Sequence, residues 1–188
     1  MIVLASASPR RKAFMKEFIT PSFLIDVSHI DEKSIHKQTP LDTVKAIAKA
    51  KGEKIFNKHP QDLIISADTI VVLDEEIIGK PKDDNDAFNM LKKLCGKTHQ
   101  VITAFYIRNK DVSYVDAVIS KVKMKTVDPE ILIRYIETKS PLDKAGGYGI
   151  QDEFFKQHLY DSHQGSISNI IGFPYEEIKE FLEKNHLI

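Results

Sequence analysis

The sequence predicts an α/β fold in one domain spanning residues 1–188, and three observations carry that expectation. The first is Leu63-Ile64-Ile65-Ser66-Ala67-Asp68-Thr69-Ile70-Val71-Val72, a near-continuous apolar run rich in β-branched residues. A run of this kind reads as a strand buried on both faces. The second is the alternation of β-rich runs with segments that open on capping residues and carry apolar side chains at helical spacing. The third is continuity. No internal repeat, low-complexity tract or linker divides the 188 residues, a length that a single core can serve.

Ile2-Val3-Leu4-Ala5 is a short strand. Ser8 then suits an N-cap and Pro9 the first helical position of an amphipathic segment running through Phe18. Arg10 and Arg11 fall in its first turn, where cations oppose the helix dipole. Backbone amides, serine hydroxyls and guanidinium forks at one helix end make a phosphate cradle; the plainer alternative is a solvated basic helix end. Phe23 to Ser28 reads as a second strand, followed by Ile30-Asp31-Glu32, whose carboxylates suit either a solvated turn or a hard metal ion. Thr39-Pro40 repeats the cap-then-proline signal and opens a helix through about Phe56. Its inner face carries Val44, Ile47 and Ala48, and Lys45, Lys49 and Lys51 take other, mostly solvated positions.

Beyond the central run, Gly79 and Pro81 pin Lys80 on a stiff loop. Asp83, Asp84 or Asp86 caps a helix with Ala87, Phe88, Leu91, Leu94 and Cys95 at helical spacing, closed by Gly96. Val101 to Ile107 and Ala117 to Val127 predict a long antiparallel hairpin, and Asp128-Pro129-Glu130 starts another capped helix with Ile131, Leu132, Tyr135 and Ile136 inward. Three of the eight glycines then fall within Gly146-Gly147-Tyr148-Gly149, which calls for positive φ angles or close backbone approach by a ligand. Pro174 opens a final helix with Ile178, Phe181 and Leu182 as its buried stripe.

Composition narrows the function classes. Lys plus Arg equals Asp plus Glu at 27 each, so no global field recruits nucleic acid or a membrane surface. One cysteine, Cys95, rules out an intramolecular disulfide framework and fits a reducing compartment; its place at a helix end suits a small buried side chain. Met1 to Ala5 lacks a basic n-region, and no run approaches membrane-spanning length. The expectation is a cytoplasmic protein with neither membrane nor stable nucleic-acid partner. Within it, Asp68 stands out: a carboxylate in an apolar strand costs several kcal/mol unless a cation, a metal or good donors hold it.

Four stretches together resemble the Maf-like nucleoside triphosphate pyrophosphatase family. They are Leu4-Ala5-Ser6-Ala7-Ser8-Pro9-Arg10-Arg11, Ser66-Ala67-Asp68-Thr69, Gly79-Lys80-Pro81 and Asp143-Lys144-Ala145-Gly146-Gly147-Tyr148-Gly149-Ile150-Gln151. Ile30-Asp31-Glu32, Lys51, His99 and Gly165 through Pro174 support the likeness, which covers nearly the whole chain in order. The resemblance implies a twisted mixed sheet flanked by helices, two lobes with a central cleft, and a homodimer. It also implies hydrolysis of a nucleoside triphosphate to the monophosphate and pyrophosphate with a divalent metal, Mg²⁺ or Mn²⁺. Asp68 would be the general base and, with Glu32, a metal ligand. Ser8, Arg11, Lys51 and Lys80 would bind phosphate oxygens. Arg10, Thr69 and Gln151 resemble the dTTP/UTP branch rather than its 7-methyl-GTP sister, and so would set the choice of base. Asp152 replaces the glycine usual after Gln151, and Gly147, Ile167 and Phe173 also depart from the common pattern. The alternatives are a pyrophosphatase preferring purine or modified nucleotides, a nucleotide-binding module without turnover, and a non-catalytic nucleic-acid-binding or cell-division regulatory protein.

Overall fold

In the computed structural model, which describes residues 1–188, the central run becomes strand β3, Leu63–Leu73, with every residue buried except the half-buried Thr69. A strand without a solvated face must be covered on both sides and paired on both edges. Strand β1 (Ile2–Leu4) lies parallel to it, with Ile2 opposite Leu63 and Leu4 opposite Ile65, and β2 (Leu24–Ile25) lies parallel to β1. Strand β4 (Glu76–Ile78) folds back antiparallel onto β3. Strands β5 (Thr98–Arg108), β6 (Ser113–Met124) and β7 (Tyr160–Gln164) extend the sheet, β7 antiparallel to β6. The order is β2-β1-β3-β5-β6-β7 with β4 off β3: a seven-stranded mixed sheet flanked by helices. The helices are α1 (Pro9–Phe14), α2 (Pro40–Phe56), α3 (Asp84–Leu94), α4 (Pro129–Glu137), α5 (Glu153–His158), α6 (Ile167–Ile171) and α7 (Tyr175–Lys184). None is long and apolar enough to cross a membrane.

The caps read from sequence act where the side chains reach. Ser8 Oγ accepts from the Arg11 amide, Thr39 Oγ1 from the Asp42 amide at 3.0 Å, and Asp83 Oδ1 from the Asp86 amide at 2.8 Å. Asp128 precedes α4 but makes no side-chain cap bond. Other expectations need correction. The second strand shrinks from Phe23–Ser28 to two residues, because β2 is an edge with β1 as its one partner. Helix α1 ends at Phe14 and continues as a wider π turn over Met15–Ile19. On α4, Ile131 is only half-buried while Leu132, Tyr135 and Ile136 are buried. Cys95 is half-buried rather than buried, and desolvation pushes its thiol pKa up.

The chain forms two compact units. The first comprises Met1–Asp68, Thr103–Val118 and Gly172–Ile188, the second Thr69–Ile102 and Ile119–Ile171. In the first, Leu4, Met15, Ile65, Phe105, Phe173, Ile178 and Leu182 form the main core, while Val3, Ala5, Ile55 and Ile64 pack as a smaller cluster. The core of the second gathers Val71, Leu91, Leu94, Val122, Tyr135, Tyr148 and Phe155.

Gly52 on α2 shows how closely the first unit is packed. A Cβ there would lie 2.7 Å from Ser66 Oγ and nearer still to the Tyr106 ring. Neither neighbour can give way easily: Ser66 Oγ donates to the Ala48 carbonyl at 2.7 Å, and the Tyr106 hydroxyl bonds to Glu53 and Ser113. Gly52→Ala is therefore expected to destabilise by about 1–3 kcal/mol from overpacking, outweighing the gain of roughly 1 kcal/mol in helix propensity. A urea titration checks this, and a variant as stable as wild type would mean the Tyr106 ring moves freely.

Candidate active site

Helix α2 presents Ala48, Lys51, Gly52 and Ile55 as buried residues, spaced three and four apart so that they share one face. On that face Lys51 is only 9% exposed, and its ammonium lies 2.6 Å from Asp68 Oδ1 and 2.8 Å from Glu32 Oε1. Asp68 is itself 8% exposed, whereas Glu32 opens an exposed 3-10 turn, Glu32–Ser34. The cation that the apolar strand required is thus supplied by α2, and Lys51 leaves the solvated face expected from its spacing. Burying one charge is costly, but an opposed pair at this distance with a third group attached repays much of that cost.

Arg11 approaches the same strand from α1. Its Nε donates to the Gly172 carbonyl at 2.9 Å, and its Nη1 donates to the Ala67 carbonyl at 2.8 Å and to Ser6 Oγ at 3.3 Å. One edge of the guanidinium therefore braces the residue before Asp68, a role the sequence did not suggest. Desolvation lowers the Arg11 pKa from its ordinary value, and the Asp68 carboxylate works in the opposite direction. Ser6 Oγ also accepts from the Ser8 amide, so the Ser6 and Ser8 hydroxyls are both tied into the start of α1. Arg10 is half-buried one residue earlier, and its charge adds to the lowering at Arg11. Asp68, Glu32, Lys51, Arg11 and Ser8 all belong to the first unit.

Thr69, Lys80 and Gln151 belong to the second unit. Lys80 is exposed on the loop between β4 and α3, whose Gly79 carbonyl accepts from the Gly146 amide at 3.0 Å. That bond joins the lysine loop to the glycine loop. Gly146 and Gly147 both have φ of 72°, so the positive-φ reading of this stretch holds. The closeness expected of a ligand is taken by the protein itself. A Cβ on Gly146 would lie 2.9 Å from Val71 Cγ2, and one on Gly149 would lie 2.8 Å from Lys144 Cε. Half-buried Gln151 lines a cavity of about 290 Å³ with Ile150, Lys156, Tyr160, Ile167 and Ile171. The lining is mostly apolar, and Gln151, Lys156 and Tyr160 are the residues in it that carry polar groups.

A metal ion can be tested against the donors present. Asp68 and Glu32 both bring an oxygen to one cationic point, now the Lys51 ammonium. No group of three or more acidic, histidine or cysteine side chains is arranged to hold a metal ion. Two carboxylates without a protein cage fit Mg²⁺, which keeps several waters and takes further oxygens from substrate phosphates.

The model of the family described as Maf-like protein matches residues 1–185. A dTTP/UTP pyrophosphatase of Pyrococcus furiosus is 40% identical, the match covering 98% of this chain and 95% of that protein. A dTTP/UTP pyrophosphatase of Clostridioides difficile is 41% identical over 97% of this chain and 94% of its own. Among solved structures, a HAM1 protein from Coxiella burnetii superposes with a TM-score of 0.54 at 13% identity, covering 97% and 98% of the two chains, a likeness of fold alone. A family model that takes in both the Arg11 and the Asp68 segments, and relatives aligned along nearly their full lengths, place this chain in the Maf-like protein family.

Proposed function

We propose that the chain is a nucleoside triphosphate pyrophosphatase that hydrolyses dTTP and UTP to the monophosphate and pyrophosphate. The observation that carries this reading is the buried Asp68 carboxylate held by Lys51 beside Glu32, in a chain whose full-length relatives bear that activity in their names. In the reaction a water oxygen bonds to phosphorus, its proton passes to the Asp68 carboxylate, and the bridging P–O bond breaks to release pyrophosphate. Lys51 exchanges a carboxylate for a phosphate oxygen as substrate arrives. Arg11 keeps Ala67, and with it the backbone beside Asp68, in place. A divalent ion, Mg²⁺ or Mn²⁺, would be held by Glu32 and Asp68 and would neutralise triphosphate charge. On the family resemblance, Ser8, Arg11 and Lys80 take phosphate oxygens and Arg10, Thr69 and Gln151 select the base. Assembly as a homodimer in the cytoplasm is part of the same reading.

Product analysis tests it. With Mg²⁺ or Mn²⁺, UTP and dTTP should yield monophosphate and pyrophosphate in equal amounts, faster than ATP or GTP. Release of orthophosphate and a diphosphate, or a preference for purines, would overturn the assignment.

A further inference from the structure

We propose that Asp152 is a positioning residue that holds Gln151 at its cavity and thereby sets discrimination between substrate bases. The inference deepens the function proposed above and rests on it for the identity of the substrate.

Gln151 follows the loop in which Gly146 and Gly147 adopt positive φ and Gly149 carries no side chain. Glycine-rich backbone loses more freedom on ordering than any other, so a side chain borne on it is aimed only if the backbone is held from outside. Asp152 supplies that hold immediately after Gln151. Its Oδ2 accepts from the Tyr135 hydroxyl at 2.6 Å and from Ser140 Oγ at 2.6 Å. The same Tyr135 oxygen accepts from the Gly149 amide at 3.0 Å, two residues before Gln151. The Asp152 amide donates to the Gly149 carbonyl at 3.0 Å and closes the turn. Gln151 is thus bracketed on both sides by bonds that meet at one buried phenol.

The chain of bonds continues to a charge. Lys144, 9% exposed, donates to Ser140 Oγ at 2.9 Å, to the Ser140 carbonyl at 2.6 Å and to Asp143 Oδ1 at 2.8 Å. Ser140 Oγ therefore accepts a hydrogen bond from the Lys144 ammonium and donates one to Asp152, so each hydroxyl in the network has one direction. The Lys144 stem also lies where a Cβ of Gly149 would fall, which locks the turn sterically. Burial and the Asp152 carboxylate push the Tyr135 pKa up, keeping the phenol a donor toward Asp152. The reaction proposed above gives none of these groups a proton to move or a phosphate to hold. Their common effect is on the backbone from which the Gln151 side chain springs, beside the apolar cavity that Gln151 lines.

Three single variants, Asp152→Ala, Asp152→Asn and Tyr135→Phe, and the Asp152→Ala/Tyr135→Phe double variant test the proposal, each measured for kcat and KM with UTP and GTP and for amide exchange along residues 144–152. Asp152→Ala should lower the UTP-to-GTP ratio of kcat/KM by about ten- to a hundredfold, mainly through KM for UTP, since small displacements of a positioning group carry penalties of that size. Tyr135→Phe should move the ratio in the same direction, and the double variant should be no worse than the poorer single one. Asp152→Asn, which keeps an oxygen for both hydroxyls, should retain the ratio within a few-fold. Exchange at the Gly149 amide and at the amide of residue 152, both hydrogen-bonded in the turn, should speed up in Asp152→Ala while β3 stays protected. Unaltered exchange in Asp152→Ala would overturn the positioning role whatever the enzyme hydrolyses. Faster exchange with an unaltered ratio, or equal losses for both nucleotides, would overturn the link to base choice. Wild-type protein that releases no pyrophosphate from UTP or dTTP would defeat the proposed function and that link together, and loop exchange would still decide whether Asp152 holds Gln151.

Discussion

Replacing Asp68 with Asn should cut turnover by about 10²–10⁴-fold and leave the fold in place, the range typical for removal of a positioned base. The substitution keeps size and one carbonyl oxygen, so the 2.6 Å contact from Lys51 can persist as a hydrogen bond to a neutral acceptor. Lys51 also retains Glu32 at 2.8 Å and is not left as a lone buried charge, the situation in which a broken pair costs about 3–5 kcal/mol. The amide cannot accept the proton of the attacking water. The chemical step should therefore fail while melting changes little. Single-turnover pyrophosphate release, followed beside thermal unfolding, separates the two. Near-normal release from a folded variant would make Asp68 a purely structural acid.

The second large effect is on stability against pH. His99 is 2% exposed, with Nε2 2.6 Å from the Tyr148 hydroxyl and Nδ1 without a hydrogen-bond partner. Burial lowers its pKa from 6.5 to about 4. In the unfolded chain the ring takes up a proton near its ordinary pKa, and in the folded chain it resists until about pH 4. The unfolded state thus binds more protons across that window. The stability that His99 permits is complete above the unfolded pKa and is lost as pH falls toward the folded one. One pKa unit is worth about 1.4 kcal/mol, so the loss should reach about 2 kcal/mol between roughly pH 6.5 and 5. His99→Gln removes the titration. Its stability, whatever its absolute value, should fall less over the same interval. Urea midpoints at both pH values for the two proteins give the difference directly, and parallel curves would show that His99 is protonated without penalty.

Why some of this was readable in the sequence is a matter of range. Ser8-Pro9 and Thr39-Pro40 announce helices because an N-cap bond closes within three residues. The β3 run announces burial because both of its faces are apolar, and the same logic marks Asp68 as an acid needing a cation. Which cation was not legible as geometry, since the register of α2 on β3 decides that Lys51 rather than Lys45 or Lys49 faces it. Strand β7, Tyr-Asp-Ser-His-Gln, carries almost no β signal and exists through pairing with β6. The short helices α5 and α6 are likewise held by packing of Phe155 and Ile170. Arg11 was legible as a basic residue at a helix start, but its bond to Gly172, 161 positions away, was not. The Asp152 network was hidden for the same reason, because Tyr135, Ser140 and Lys144 are ordinary residues until the glycine loop folds over them.

The first unit carries a further consequence for how the protein comes into being. It is assembled from the two ends of the chain and one interior stretch, whereas the second unit needs nothing beyond Ile171. Contacts so far apart in sequence close slowly, because loop entropy is lost before any contact is gained. Synthesis runs from the amino terminus, so Asp68, Lys51 and Arg11 leave the ribosome well before Gly172, Phe173, Ile178 and Leu182. Until those residues arrive, Leu4, Met15 and Phe105 lack part of their cover, and Arg11 lacks one of its carbonyls. A nascent chain therefore holds Asp68 and Lys51 on an unfinished scaffold until the Gly172–Ile188 segment packs into the first unit.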